Sequence, residues 1–531
     1  MRKENNRITS RLLLAIVASM VTMGITAQAP SNRPSLVVGI MVDGLSEDYL
    51  QLLKSYFCEN GFRKLMSEGV TIENVEYGAN IDRAAATAMI YTGTTASVNG
   101  ISASSVYDRS QKRDFPILLD ASKMGNYTNE TYSPEALLVS TIADEVRIND
   151  NGTGYVYSIA PDATQSILMA GHAANSAFWI DDISGKWATT TYYKDVPTTI
   201  QTRNYRLPLS KRLDTLSWTP SLPLTKYPDL PDYRRHYPFR HIFLHNDKDR
   251  YRAYKVSAPV NTEVTTIAAD YLKTLGLGTR GVTDMLNIGY TLTPYPYTKE
   301  TDNRVELMDS YIKLDVELSR LFQAIDRTAG MNNTLIFLAG TPAPVSTRRD
   351  DEQWNIPSGE FSPRKAISLL NMYLMAIYGN GEWVSGFHNN QFYLNHTLIN
   401  ERGTDARKLR TDAAEFLMRM SGISQAVTID EIISGTADGS NILRRNCHIN
   451  HRGDILVTVN PGWETIEQIN GKDVRTLSRT VATHAPLFIL CPHVKAQTIT
   501  TEVDATIIAP TVSRLLRIRS PNASSTKPLR L

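Results

Sequence analysis

The feature that most constrains the fold is an apolar run at residues 36–42 that ends abruptly at Asp43 and Gly44. A run without polar alternation is typical of a strand buried on both faces, as at the centre of a parallel α/β sheet. In such sheets the ligand crevice lies beyond the carboxyl ends of the strands. Asp43 is therefore predicted either to belong to a site at that edge or only to cap the next helix.

Helical and strand patterns alternate along the rest of the chain, which predicts an α/β fold. The expected architecture is a three-layer sandwich, with helices covering both faces of a mostly parallel central sheet. Strands are predicted at 70–75, 154–159, 285–290, 334–339 and 487–490, and helices at 83–91, 304–329 and 509–518. Two stretches interrupt the pattern and are predicted to be irregular insertions, around 187–256 and 345–480.

The chain has 531 residues, and its 56 Lys and Arg nearly balance its 54 Asp and Glu. This balance gives no electrostatic reason to expect nucleic acid or an anionic membrane as a partner. Residues 1–29 have a basic start, a short apolar run and small residues, as a secretory signal peptide does. Cleavage after Ala27 or after Ala29 and retention as an anchor stay open, and residues 30–531 form the predicted domain.

Three cysteines, Cys58, Cys447 and Cys491, follow the signal-like segment. They are too few for a disulfide framework, and their spacing matches no zinc motif. In an oxidising compartment Cys447 and Cys491 either pair or remain isolated thiols, and the sequence leaves both alternatives open.

Several phrases in a fixed order resemble the alkaline phosphatase superfamily over the whole chain after the signal-like segment. The resemblance is closest to bacterial secreted alkaline phosphatases with a threonine nucleophile, which are similar to nucleotide pyrophosphatase/phosphodiesterases. It implies an exported protein of the bacterial periplasm or cell surface. The phrases include Val42-Asp43-Gly44, Gly61-Phe62-Arg63-Lys64-Leu65, Tyr91-Thr92-Gly93, Ala170-Gly171-His172, Thr483-His484-Ala485-Pro486 and Ile508-Ala509-Pro510-Thr511.

The resemblance implies two zinc ions held by six Asp and His ligands, one ion activating the nucleophile and the other steadying the leaving oxygen. Asp43 matches the first ligand. The other five positions are expected to be occupied by residues that are poor zinc ligands, namely Gly289, Thr293, Gly340, Thr341 and Arg475.

The phosphate-handling positions depart from the family pattern as well. Arg83 stands where the resemblance places the threonine nucleophile, and arginine neither attacks phosphorus nor loses its proton at working pH. Ser104 replaces a phosphate-binding asparagine, and Asp162 and Thr164 replace a lysine and an arginine. Arg83 is expected either to form an ion pair with Asp43 or to point into solvent.

These departures predict a degenerate phosphatase that serves as a binding or scaffold subunit in the bacterial envelope. No cofactor is expected in that case, and the partner is an unknown envelope protein or an anionic ligand. The alternative is an active metal-dependent phosphomonoesterase or phosphodiesterase, with two zinc ions on divergent ligands. A third hypothesis is a sensor of phosphorylated or anionic glycans. Arg234 and Arg235, in a basic aromatic stretch, either grip an anion or pack as a surface loop.

Overall fold

An eleven-stranded mixed sheet runs through the part of the chain that the computed structural model describes. That part comprises residues 33–79, 81–228, 230, 232–297, 303–342, 357–469, 472–477 and 482–531. Five neighbouring strands are parallel and form the middle of the sheet. In spatial order they are Thr334–Gly340, Leu36–Asp43, Asp284–Thr291, Val156–Ile159 and Ser176–Ile180.

Antiparallel strands extend the sheet on both sides of this parallel centre. Ala482–Leu490 pairs antiparallel with both Thr334–Gly340 and Val70–Ala79. On the other side Trp187–Thr190 pairs antiparallel with Ser176–Ile180 and with Gly125–Asn126. Gln497–Ile499 and Val503–Asp504 lie parallel beside Val70–Ala79.

Alternate side chains of the central strand Leu36–Asp43 enter two different cores, because successive residues of a strand face opposite sides of a sheet. Val38 and Ile40 belong to one core, and Val37 and Met41 to the other. The first core is covered by helices Glu47–Leu53, Phe62–Glu68, Pro259–Leu275 and Arg304–Thr328. The second is covered by helices Arg83–Thr92, Ile142–Asn149, Ala163–Ala170 and Ile508–Leu516. The predicted three-layer α/β class is confirmed.

The stretch predicted as an irregular insertion around 187–256 is more ordered than its composition suggested. Besides the sheet strand Trp187–Thr190, it contains short helices and one small antiparallel pair. The helices are Thr198–Tyr205, Leu209–Leu213 and Arg250–Lys255, and the pair is Ser217–Trp218 with His241–Ile242. Trp218 anchors the stretch, since its buried indole N–H donates to Asp309 Oδ2 at 2.6 Å.

Residues between 359 and 477 build a further hydrophobic core of their own. Its four-stranded sheet has the order Val384–His388, Gln391–Leu394, Ile455–Val459, Ile423–Thr428. The helices of this region are Pro363–Tyr378, His396–Arg402, Ala406–Leu417, Ile429–Ser434 and Ser440–Arg445. A three-stranded sheet, Gly359–Phe361, Trp463–Ile469 and Lys472–Leu477, lies in the same stretch of chain. The domain boundaries given above stay predictions.

A hairpin of strands Ser105–Asp108 and Arg113–Pro116 joins this further core to the main body. The Tyr107 hydroxyl donates to the Ser385 carbonyl at 2.5 Å, and Arg109 Nη1 donates to Asp454 Oδ2 at 2.7 Å. His388 completes the contact, with Nδ1 3.1 Å from Asp114 Oδ1 and Nε2 2.9 Å from the Ser105 carbonyl oxygen.

The His388 contact makes part of the stability depend on pH. Burial alone would lower the pKa of His388, but Asp114 and the Ser105 carbonyl outweigh burial and raise it. The contribution is therefore complete below the unfolded-state pKa of about 6.5 and is lost as pH rises through the raised folded-state pKa. We expect His388→Gln to lower the thermal unfolding midpoint more at pH about 5.5 than at pH about 8.5. An equal loss at both pH values would contradict this linkage.

Cys58, Cys447 and Cys491 are all free thiols in the structure, so the possible Cys447–Cys491 pair is not formed. Burial raises the pKa of Cys447 and of Cys491 to about 11, which keeps both thiols protonated. The signal-like segment 1–29 lies outside the described residues. Within the described ranges, every helix is too short or too polar to cross a membrane.

Candidate functional site

Asp43 ends the central strand at the carboxyl edge of the parallel sheet, where ligands of α/β proteins bind. Only 8% of the residue is exposed. Its Oδ1 accepts a hydrogen bond of 2.6 Å from the Thr341 hydroxyl, which in turn accepts one of 3.1 Å from the Gly44 amide. One carboxylate oxygen of Asp43 is thus engaged by a neighbouring strand.

The other carboxylate oxygen of Asp43 faces Arg83, the first residue of helix Arg83–Thr92. Arg83 Nη1 donates to Asp43 Oδ2 at 3.3 Å, and Arg83 Nη2 donates to Asp162 Oδ2 at 2.9 Å. Asp162 caps helix Ala163–Ala170, so the guanidinium links a strand end to a helix start. Of the two alternatives for Arg83, the ion pair with Asp43 is the one observed.

The charges around Arg83 stabilise one another. Burial alone would raise the pKa of Asp162. The positive charges of Arg83 and Lys255 and the hydrogen bonds from backbone amides together outweigh burial and leave that pKa below its usual range. In return, Asp162 and then Asp43 raise the pKa of Arg83 further above its already high value. Arg83 is consequently a permanent cation, which rules out a role as a deprotonated nucleophile.

Ser104 lies at the same edge, but its hydroxyl is used within the protein. It donates to Asp82 Oδ1 at 2.9 Å, and Asp82 in turn caps the helix that begins with Arg83. Burial raises the pKa of Asp82. Ser104 therefore supports the helix start instead of presenting a free donor to a ligand.

Gly340 and Thr341 are beside Asp43, as the resemblance implies for an Asp-His ligand pair. Gly340 pairs with Val42, and the Thr341 amide donates to the Val42 carbonyl at 2.9 Å. A Cβ at Gly340 would lie 2.7 Å from Leu45 Cβ and 3.1 Å from Ala485 Cβ. The space that an acid would need here is filled by neighbouring side chains.

The placement of Gly289 at a ligand position is wrong, because Gly289 lies inside the strand. It pairs with Met41, whereas Asp43 pairs with Thr291 at the strand end. Gly289 is therefore two residues short of the strand end, where the prediction expected a ligand. Thr293 contacts Thr291 instead, with their hydroxyl oxygens 3.2 Å apart.

Three arginines named from the sequence are engaged elsewhere. Arg475 lies in the strand Lys472–Leu477, where its Nη1 is 2.8 Å from both Glu360 and Glu464. Arg234 is buried and pairs with Glu306 at 3.0 Å, so it has a structural role and is not available to bind an anion. The exposed Arg235 binds the Leu230 carbonyl at 3.0 Å within its own loop. The structure brings none of the three to Asp43.

The residues that the structure describes do not fit the two-zinc centre that the resemblance implies. A zinc site needs three or more donors among Cys, His, Asp and Glu around one point. Among the described residues no such group is found. Of the predicted ligand positions that the structure describes, Asp43 is the one with an acid. Its two oxygens are taken by Thr341 and by the positively charged Arg83, which would repel a metal dication.

A cleft of about 230 Å³ opens beside this site and contains residues that sequence reasoning missed. Lys255 Nζ binds Asp182 Oδ1 at 2.5 Å, and Arg252 Nε binds Asp182 Oδ2 at 3.1 Å. Asp43, Arg83 and Asp162 line the same cleft, so its acids and bases are already paired. Arg252 and Lys255 come from a stretch with little periodicity, and Asp182 lies just before it, so no sequence motif pointed to them.

The chain is an α/β protein, and its sequence match to a family model places it in the alkaline phosphatase superfamily. The chain belongs to the type I phosphodiesterase/nucleotide pyrophosphatase family, whose sequence profile matches residues 37–486. The predicted superfamily is thereby confirmed.

Individual relatives extend over nearly the whole chain. Alkaline phosphatase PhoV of Synechococcus elongatus is 28% identical over 518 residues, covering 93% of this chain and 92% of PhoV. Alkaline phosphatase PafA of Elizabethkingia meningoseptica is 25% identical over 538 residues, covering 97% of this chain and 98% of PafA. The crystal structure of wild-type PafA matches with a TM-score of 0.83 at 24% identity, over 94% of this chain and 98% of that one.

Proposed function

We propose that this chain is a catalytically inactive member of its family that acts as a binding or scaffold subunit in the bacterial envelope. One observation carries the proposal: Arg83 occupies the expected nucleophile position and bridges Asp43 and Asp162. An arginine provides no nucleophilic oxygen, and its guanidinium holds the one retained zinc-ligand acid in an ion pair.

The bridge gives Arg83 the electrostatic role that a metal would otherwise fill. Asp43 and Asp162 both approach one guanidinium, and without a cation two such carboxylates would repel each other. Loss of zinc and gain of Arg83 therefore compensate each other. Asp162 also takes the place where the resemblance expects a phosphate-binding cation, so that position offers no positive charge to an incoming phosphate.

The second candidate is an active metal-dependent phosphoesterase with divergent ligands. The comparisons favour this alternative, because PhoV and PafA are both named as alkaline phosphatases. It requires ligands from outside the family positions, since Gly340 and Thr341 provide neither carboxylate nor imidazole. We rank it second because the Arg83 bridge would have to open before Asp43 reached a metal.

Placement in the envelope rests on the signal-like residues 1–29, and export of the chain is part of the proposal. The subunit would then work in the periplasm or at the cell surface. Its partner is an envelope protein or an anionic ligand.

Turnover of phosphate esters tests the proposal. We expect the purified chain, supplied with excess zinc, to hydrolyse p-nitrophenyl phosphate and bis-p-nitrophenyl phosphate no faster than buffer does. PafA assayed in parallel is the positive control. Zinc-dependent hydrolysis that a chelator abolishes, and that Asp43→Asn also abolishes, would establish the second candidate instead.

A further inference from the structure

A cleft of about 680 Å³ lies in the further core, on the part of the chain that the phosphatase-like site does not use. Residues of strand Gly359–Phe361, of helix Pro363–Tyr378 and of the end of helix Ala406–Leu417 line it. Its wall combines cations with apolar side chains: Arg364, Lys365, Arg419, Phe361, Leu369 and Phe416. The volume is within the range of ligand-binding clefts.

One exposed face of helix Pro363–Tyr378 continues the cleft along the surface. Arg364 and Lys365 occupy its first turn, and Leu369, Met372 and Met375 follow at helical spacing. The exposed fractions of these three apolar residues are 43%, 59% and 38%. We call these five residues the basic–apolar face. A row of large apolar side chains left in water is typical of an interaction surface, whereas single exposed ones are not.

The cations of this cleft have no acidic counterpart in the described part of the chain. No ion pair to Arg364, Lys365 or Arg419 is formed there, whereas Glu360, the cleft's acid, pairs with Arg475. The first turn of helix Pro363–Tyr378 contains no acid, so Arg364 and Lys365 stand at the positive end of the helix dipole. A negatively charged ligand would relieve the repulsion among these cations and their repulsion by the positive end of the helix dipole.

The extent of the face decides between a small anion and a chain segment. Arg364 and Met375 are separated by about 16 Å along the helix axis, at 1.5 Å per residue. A small anion would satisfy the cations but would leave Met372 and Met375 in water. A segment with acidic residues at one end and apolar residues along one side covers the whole face. Methionine suits such a contact, because its unbranched chain adapts to a partner surface.

We propose that the basic–apolar face docks an acidic amphipathic segment of a partner protein. Acidic residues of the segment meet Arg364, Lys365 and Arg419, and its apolar residues lie on Leu369, Met372 and Met375. This is the helix-in-groove mode of recognition. The inference concerns a surface apart from the Asp43–Arg83 site, so it stands whether or not the chain hydrolyses phosphate esters.

A fluorescein-labelled 16-residue peptide, with Glu in its first turns and Leu at helical spacing, tests the proposal by fluorescence anisotropy against the purified chain. We expect saturable binding that weakens as salt increases. Arg364→Glu combined with Lys365→Glu is expected to raise the Kd at least about tenfold, because acids of the peptide would then face acids. Met372→Ser is expected to weaken binding as well.

The matched control is Arg407→Glu combined with Lys408→Glu. These two exposed cations occupy the same positions in the first turn of helix Ala406–Leu417, and their replacement is expected to leave the Kd unchanged. Circular dichroism checks that each variant is folded.

Several results would overturn the proposal. They are absence of peptide binding, equal weakening in the control pair, equal binding of a Lys-Leu peptide, and equal binding of a Glu peptide that lacks Leu. Preferential binding to phosphatidylglycerol vesicles would assign the face to a lipid surface instead. Binding that appears only after residues 343–356 are deleted would mean that the chain's own segment takes the partner's place.

Discussion

An Arg83→Thr variant is expected to gain no phosphatase activity, although it restores the residue type that the resemblance implies for the nucleophile. A threonine hydroxyl attacks phosphorus only when a metal or a base activates it. In the described ranges, no group of zinc ligands surrounds Asp43 at this edge of the sheet. Asp162 would also remain where a phosphate-binding cation is expected. Turnover of p-nitrophenyl phosphate with excess zinc is the measurement, with the unchanged chain and PafA as references.

The same variant is expected to be less stable. Removing the guanidinium leaves Asp43 and Asp162 without their shared cation, at a cost of about 1–2 kcal/mol in the free energy of unfolding. This loss of stability is small for breaking a buried ion pair, because 45% of the Arg83 side chain is exposed and solvent screens its charge. Urea unfolding measures the loss, and Arg407→Thr, at an exposed helix start, is the control. Zinc-dependent turnover by Arg83→Thr would show that ligands for zinc are present after all.

A Gly340→Asp variant is expected to lose its fold instead of gaining a metal ligand. Gly340 is in the middle layer, and a Cβ there would be 2.7 Å from Leu45 Cβ. Both the clash and an unpaired buried carboxylate oppose folding, so we expect a loss of at least about 3 kcal/mol in the free energy of unfolding. Yield of soluble protein and urea unfolding are the measurements.

Gly403→Asp provides the matched control for this substitution. Gly403 ends helix His396–Arg402 in the left-handed region, at φ 61°, and a Cβ there meets nothing within 4 Å. Aspartate tolerates that conformation, so the cost is expected to be only about 1 kcal/mol. A Gly340→Asp variant as stable as the Gly403→Asp variant would contradict the close packing around Asp43.

The fold was predictable because its central strands are long and apolar. The expected strand at 334–339 is observed at Thr334–Gly340, and the expected helix at 304–329 is observed at Arg304–Thr328. In a fully buried strand or a helix with a continuous apolar stripe, the hydrophobic pattern outweighs the propensities of individual residues, so the element is easy to predict. The predicted strand at 487–490 was too short, because the first half of Ala482–Leu490 contains polar residues that do not look buried.

Parts of the candidate site were predictable for the same reason. Asp43 ends a buried strand, Thr341 follows another, and Arg83 begins a helix, so their place in the sequence determines their place at the sheet edge. Gly289 was predicted at a strand end but lies two residues inside the strand, because the strand continues to Thr291. Arg475 lies away from Asp43, because the strands Trp463–Ile469 and Lys472–Leu477 pair with each other in a separate sheet.

Other residues of the two clefts could not be predicted from sequence patterns. Lys255 and Asp182 line the cleft beside Asp43 through tertiary contacts that no short-range spacing encodes. The exposed face of helix Pro363–Tyr378 has the apolar content of a buried helix, so only the structure reveals that Met372 is in water.

Zinc content is the most direct test of the central claim, which is that Arg83 has replaced a metal centre. The purified chain would be equilibrated with excess zinc, passed through a desalting column and analysed by mass spectrometry, with PafA treated identically. We predict that the chain retains no zinc above the buffer level and that Arg83→Thr retains none either. Retention of about two zinc ions per chain, as a two-metal phosphoesterase requires, would contradict the account.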